Sequence, residues 1–195
     1  KDGCLYGAIA LLHDVDRYWD APGGAIVRYD PATGALEKIG IPLPHIYIQS
    51  ICLDQARGVL YGQSFTPERL FSFDLTTRQS QDLGPISSGM VMAQGENVEL
   101  DDQDCVWFGW HVTRAWQNAS GVDGHRLGKF DPRQGRIQYL DAGLPRPDGA
   151  YGYAKVEGLF NLGNGRLYAS GANGSIFRVD TQTGQARYLG TPIAD

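Results

Sequence analysis

The sequence predicts an all-β fold assembled from one four-stranded antiparallel unit written four times. Three observations predict it. An alternating apolar run ending in aspartate recurs as AIVRYD to Asp30, RLFSFD to Asp74, RLGKFD to Asp131 and SIFRVD to Asp180. At a constant distance after each aspartate comes an aliphatic residue (Ile39, Leu83, Leu140, Leu189), followed in three copies by Gly40, Gly84 or Gly190. Upstream of each run an aromatic precedes a small residue: Tyr6-Gly7, Tyr61-Gly62, Phe108-Gly109 and Tyr168-Ala169. Asp54, Asp101 and Asn161 stand at a fixed spacing before the last three, and in the first copy that place falls ahead of Lys1.

Each full copy reads as strands A to D. Strand A is a short apolar run such as Ser50–Leu53 or Val98–Leu100, and a tight turn (Asp54–Gly58, Asn161–Gly165) leads into strand B, VLYG or RLYAS. In strand C polar and apolar residues alternate, the period of two that puts one face toward a core. The turns DPATG, DPRQG and DTQTG then lead to strand D. The aspartate accepts backbone N–H groups two or three residues on, proline presets φ, and glycine takes positive φ. These anchor aspartates are therefore read as turn builders rather than catalysts. No helical 3.6-residue stripe of useful length appears. Residues 1–7 read as strand B of a blade without its strand A.

A repeat of roughly fifty residues with four strands is a β-propeller blade. The expectation is about four blades, near 1–44, 45–88, 89–147 and 148–195, belonging to a seven- or eight-bladed ring. A further chain or a missing segment would complete the ring, and a compact four-bladed ring is the alternative. The YDP-x-TG-type repeats resemble the propellers that include streptogramin-lyase-like proteins, quinoprotein-type repeats and several polysaccharide-lyase propellers. The third copy, VWFG…RLGKFDPRQGRIQYLDAGLP, is most similar to the streptogramin-lyase repeat. The quinoprotein docking tryptophan is missing from Leu36 to Gly40, and sialidase-type aspartate boxes are missing too.

Composition narrows the class. The 195 residues suffice for one domain with a sizeable core, and 26 glycines and 10 prolines suit strands with tight turns. A net charge of −5 with no basic run argues against nucleic acid. No apolar stretch reaches the roughly 18 residues of a membrane span. Cys4, Cys52 and Cys105 are odd in number, fall in expected strands and read as buried free thiols. A secreted or periplasmic location is expected. Asn118-Ala-Ser and Asn173-Gly-Ser are glycosylation-type triplets that arise easily by chance.

Chemistry is expected on the B–C and D–A connections, where the chain spends its extra residues. They carry all four histidines (His13, His45, His111, His125) together with Trp19, Trp110 and Trp116. Long loops gathering such residues on one face of a rigid scaffold suit a saccharide or protein ligand. The polysaccharide-lyase resemblance favours β-elimination from a uronic-acid-containing polysaccharide, which needs a cation for the carboxylate, a base and an acid. For catalysis the candidates are His111 or His45 as base, Tyr151 or Tyr153 as acid and Arg114, Arg126 or Arg146 at the carboxylate. For substrate binding they are His13, Arg17, Trp19, Tyr47, Trp116, His125, Arg126 and Arg146. No cofactor is expected, and a divalent metal is left open through His13-Asp14-Val-Asp16. Two alternatives stand beside the lyase. One is a non-catalytic propeller binding a protein or saccharide. The other is a glycoside hydrolase using two of Asp14, Asp16, Asp20, Asp123 and Asp148.

Overall fold

A computed structural model describes residues 2–10, 20–65, 67–88, 97–112, 125–149, 152–171 and 174–192. Among these residues the secondary structure is β, with no α-helix, and the chain forms two compact units, residues 1–84 and 85–195. Each unit is built from two of the repeats.

In the first unit β1 (Leu5–Ile9), β2 (Ala25–Asp30) and β3 (Ala35–Gly40) form a three-stranded antiparallel sheet. The second sheet has the full four strands, β4 (Tyr47–Asp54), β5 (Val59–Phe65), β6 (Arg69–Asp74) and β7 (Ser80–Pro85), in chain order. Ile26 and Ile39 of one sheet join Ile48, Leu60, Phe71 and Phe73 of the other in a single buried cluster. Fully burying each such side chain contributes roughly 1.5–3 kcal/mol, so sheet-on-sheet packing holds this unit together.

In the second unit the third sheet runs β12 (Arg136–Tyr139), β11 (His125–Asp131), β10 (Val106–Val112) and β8 (Ser87–Ser88), with β9 (Glu99–Leu100) also pairing with β10. β13 (Leu144–Pro145) and β14 (Tyr153–Ala154) form a short ribbon where the sequence suggests only a connection. The fourth sheet is β15 (Val156–Asn161), β16 (Leu167–Gly171), β17 (Ile176–Val179) and β18 (Ala186–Gly190). Trp107, Leu127, Leu159, Leu167, Phe177 and Val179 share the core of this unit. The repeated antiparallel sheets are the blades of a β-propeller.

The anchor aspartates build their turns as expected. Asp74 Oδ1 accepts from the backbone of Thr76 at 2.9 Å and Thr77 at 2.7 Å, and Asp180 Oδ1 from Gln182 at 2.9 Å and Thr183 at 2.8 Å. Asp30 and Asp131 make the corresponding bonds to Ala32 and Arg133, and Asn161 makes one to Gly163. These donors favour the charged carboxylate, so Asp74 (chiefly through Thr77), Asp180 (chiefly through Thr183) and Asp131 (chiefly through Arg133) lie below the ordinary carboxylate pKa. A lowered folded-state pKa contributes stability that is complete above the unfolded value and is lost as pH falls through the folded one. Acid titration followed by tryptophan fluorescence should therefore show stability falling as pH drops through the ordinary carboxylate range toward the lowered values. An unfolding midpoint unchanged from neutral pH through that range would contradict the assignment.

The second copy lacks a glycine at the end of its C–D turn. Gly34, Gly135 and Gly184 take φ of 73°, 61° and 75°, and Arg78 adopts 57° in the same place. A non-glycine residue pays about 1 kcal/mol there, while the exposed pair of Arg78 with Glu37 at 2.8 Å returns only a few tenths. Arg78→Gly should raise stability by roughly 0.5 kcal/mol in urea unfolding. A loss of stability would show that the ion pair outweighs the backbone.

Three details depart from the sequence reading. In the third copy the aromatic place belongs to Trp107, not Phe108. Tyr6, Tyr61 and Tyr168 oppose Arg28, Ser72 and Arg178, and Trp107 opposes the equivalent Lys129. Phe108 therefore falls where the other copies have Gly7, Gly62 and Ala169, and Gly128 across from it supplies the missing space. Strand A of the third copy covers only Glu99–Leu100. No disulfide joins Cys4, Cys52 and Cys105, and of the three only Cys105 is buried and only Cys52 lies within a strand.

Candidate functional site

Of the histidines singled out in the sequence, two meet at one end of the third sheet. His111 on β10 stands opposite His125 on β11, with Trp110 opposite Arg126 one step in. β11 enters this end carrying His125 and Arg126, and residues 140–146 return alongside it.

That return is held by backbone and by one indole. Leu127 N donates to Ala142 O at 2.7 Å, and Trp110 Nε1 is shared between Leu127 O at 3.0 Å and Leu140 O at 3.2 Å. The Trp110 ring meets Tyr139 edge-on at 5.3 Å. Trp110 thus clamps strands, and its N–H is spent inside the blade rather than offered to a ligand. At Gly143 a Cβ would stand 2.7 Å from both His125 O and Tyr153 Cγ. Only glycine lets the Tyr153 ring settle against β11 here.

The result is a fixed cation. Arg126 lies over the Tyr153 ring at 4.7 Å, and its Nε donates to Asp141 Oδ1 at 3.1 Å. A third bond runs from its guanidinium to His125 O at 3.4 Å. The Arg126 side chain is 22% exposed, whereas that of Asp141 is 97% exposed. The stacking contributes on the order of 0.5–1 kcal/mol and removes rotamer freedom, so the guanidinium is poised in advance. Pro145 pairs with Tyr153 through the β13–β14 ribbon, which sets Arg146 next in line. Arg146 grips Asp148 through two bonds of 3.1 and 2.6 Å, and that carboxylate holds the guanidinium pKa above its ordinary value.

Other expected site residues are placed elsewhere. His45, in the first unit, sits in the turn between β3 and β4 with φ of 59°. Its Nδ1 lies 2.6 Å from Ala21 O and its backbone N donates to Pro22 O at 3.1 Å. This ring pins one connection onto the preceding one. Tyr47 packs edge-on against Phe65 at 5.8 Å. His13, Arg17, Trp19, Arg114, Trp116 and Tyr151 lie outside the described residues.

Asp141 and Gly143 are contributors the sequence reading missed. Their signal was the run Asp141-Ala-Gly143, short and small directly after Leu140, where the return must pass close to β11. A concavity of about 420 Å³ opens at the turn end of the first unit, lined by Asp2, Cys4, Tyr6, Arg57 and Thr76 among others. Tyr6 donates its hydroxyl proton to Asp2 at 2.7 Å there. Among the described residues no group of three His, Cys, Asp or Glu side chains is arranged to hold a metal ion.

No protein-family model matches the chain, and no curated protein matches it in sequence. Solved structures do match. A chain of a nidogen/laminin complex superposes with a TM-score of 0.62 at 14% identity, covering 98% of this chain and 63% of that one. A Bacteroides uniformis protein provisionally assigned as a 6-phosphogluconolactonase gives 0.60 at 15%, over 96% of this chain and 55% of its own. A Bacteroides thetaiotaomicron protein of unknown function gives 0.59 at 12%, over 90% and 46%. The likeness is one of fold. The chain spans about half to two thirds of the length of these structures.

Proposed function

We propose that this propeller is carbohydrate-active and that the His111–His125 end of the third blade is part of a lyase site for uronic-acid-containing polysaccharide. The observation that carries the reading is Arg126, pre-set between Tyr153 and Asp141 at the strand end where His111 and His125 are backbone partners. A guanidinium fixed in this way meets a planar carboxylate with two parallel hydrogen bonds. Drawing charge from the carboxylate acidifies the neighbouring C–H, the step that limits β-elimination. A histidine, His111 or His125, takes that proton, the electron pair forms the new C=C bond, and the adjacent glycosidic C–O bond breaks. The Tyr153 hydroxyl delivers a proton to the departing oxygen. The likeness of the third repeat to streptogramin-lyase repeats supports an eliminating enzyme, and an extracellular polysaccharide fits a secreted or periplasmic protein.

The test is ultraviolet absorbance of the unsaturated product during incubation with a panel of uronic-acid polysaccharides. Product should form, and Arg126→Ala should lower kcat/KM by about a hundredfold or more, with Tyr153→Phe also impaired and its fold unchanged. Saccharide binding without product would point to the non-catalytic alternative. Neither binding nor product across the panel would end the saccharide reading.

A further inference from the structure

We infer that Asp141 is a built-in stand-in for the substrate carboxylate: it holds the carboxylate-binding edge of Arg126 in the resting protein and swings away when a uronate takes that edge. The inference rests on the reading of Arg126 as the carboxylate receptor and adds a displacement step to it.

The Nε–Nη2 edge of a guanidinium takes a carboxylate side-on through two parallel bonds. The chain shows this arrangement at Arg146, whose Nε and Nη2 donate to the two oxygens of Asp148 at 3.1 and 2.6 Å. On Arg126 the same edge faces Asp141, with Nε donating to Oδ1 at 3.1 Å. Two other holds on Arg126 lie away from that edge. Nη1 donates to His125 O at 3.4 Å, and the Tyr153 ring centre lies 4.7 Å from Cζ. A ligand carboxylate that displaces Asp141 leaves both of these in place.

Asp141 is suited to leave. Its side chain is 97% exposed, so its carboxylate is already hydrated and an ion pair this open contributes little. The 3.1 Å bond is long beside the about 2.7–2.9 Å usual for a charge-assisted one. The backbone on either side is fastened, with Leu140 N donating to Leu127 O at 3.1 Å and Leu127 N to Ala142 O at 2.7 Å. Asp141 can therefore turn out by side-chain rotation alone, and the close packing of Gly143 on Tyr153 is undisturbed. Asp148 is the contrast. It lies two residues from its arginine, engages it through both oxygens and reaches 2.6 Å. Of these two arginine–aspartate pairs, that of Arg126 is the one built to open.

Displacement and support predict opposite signs. As a stand-in, Asp141 competes for Nε and its charge repels an incoming anion, so removing it tightens uronate binding. As a mere support for Arg126, its removal would loosen the guanidinium and weaken binding.

Nuclear magnetic resonance titration of the nitrogen-15-labelled chain, following backbone amides and arginine Nε–H signals, separates the two. The probes are glucuronate and galacturonate, single sugars with no glycosidic bond to cleave, and glucose is the neutral control. Wild type should bind both uronates and not glucose, and Arg126→Ala should bind none of them. Asp141→Ala should bind the uronates about fivefold more tightly, the worth of one exposed ion pair. Asp141→Asn should fall between, because its amide oxygen still accepts from Nε but carries no charge. The amide spectra check that the variants keep the fold, which an exposed position leaves intact. Arg126-dependent binding that is unchanged or weaker in Asp141→Ala would overturn the displacement and leave the lyase reading standing. Uronates that bind neither wild type nor the Asp141 variants, while the polysaccharide panel still yields product, would overturn the inference alone. Failure of both uronate binding and product formation would end the two readings together.

Discussion

Asp101→Ala should destabilise the second unit by about 3–5 kcal/mol, enough to unfold it under mild denaturant. Asp101 is 5% exposed and its carboxylate accepts three hydrogen bonds: from Gln103 N at 2.8 Å, Cys105 N at 2.9 Å and Trp107 Nε1 at 2.8 Å. Removing it strands two backbone donors of the A–B turn and the indole N–H of a fully buried tryptophan. Each buried unsatisfied group costs roughly 1–3 kcal/mol. Asp54 is the internal control. It also accepts from two backbone groups, Ala56 and Arg57, but its third partner is the Arg57 guanidinium, which can turn to water. Asp54→Ala should cost less, about 1–2 kcal/mol. Urea unfolding followed by tryptophan emission measures both. A cost for Asp101→Ala no larger than that for Asp54→Ala would show that the indole bond adds nothing.

Gly62→Ala should cost about 2–3 kcal/mol, although alanine is the gentlest of changes elsewhere in a strand. A methyl at position 62 would overlap the Phe71 ring, which is fully buried and cannot swing aside. Phe71→Ala alone should cost about 3–5 kcal/mol by leaving a cavity. The double variant should cost at least about 1 kcal/mol less than the sum, since the new methyl enters the space the ring vacates. Strict additivity would show that the backbone shifts instead. Gly128→Ala in the third blade should behave alike, its methyl falling 2.5 Å from Phe108 Cε2.

Much of this fold was legible because turn chemistry is local. Asp30, Asp74, Asp131 and Asp180 bond to residues two or three places on, so sequence spacing alone exposes them. The slip at Phe108 was not legible. Phe108-Gly109 imitates Tyr61-Gly62, and only the cross-strand partner Lys129 reveals that Trp107 holds the aromatic place. The site was legible by residue type but not by commitment. His45 and Trp110 look like ligand groups, yet a carbonyl of Ala21 and carbonyls of Leu127 and Leu140 engage them. Conversely, Asp141 and Gly143 look like ordinary turn residues, and only the return of 140–146 beside β11 makes them the support of Arg126 and Tyr153.

The exchange of bulk between Phe108 and Gly128 bears on how such a chain can be rearranged by recombination. In the second and fourth blades the large residue of the matched pair stands on strand C, Phe71 opposite Gly62 and Phe177 opposite Ala169. In the third it stands on strand B. A crossover that joined strand B of the second blade to strand C of the third would set Gly62 against Gly128 and leave a hole. The reciprocal product would set Phe108 against Phe71 and jam. The heritable module in this protein is thus the B–C hairpin rather than the single strand, and grafting between blades should succeed only where the cut falls outside it.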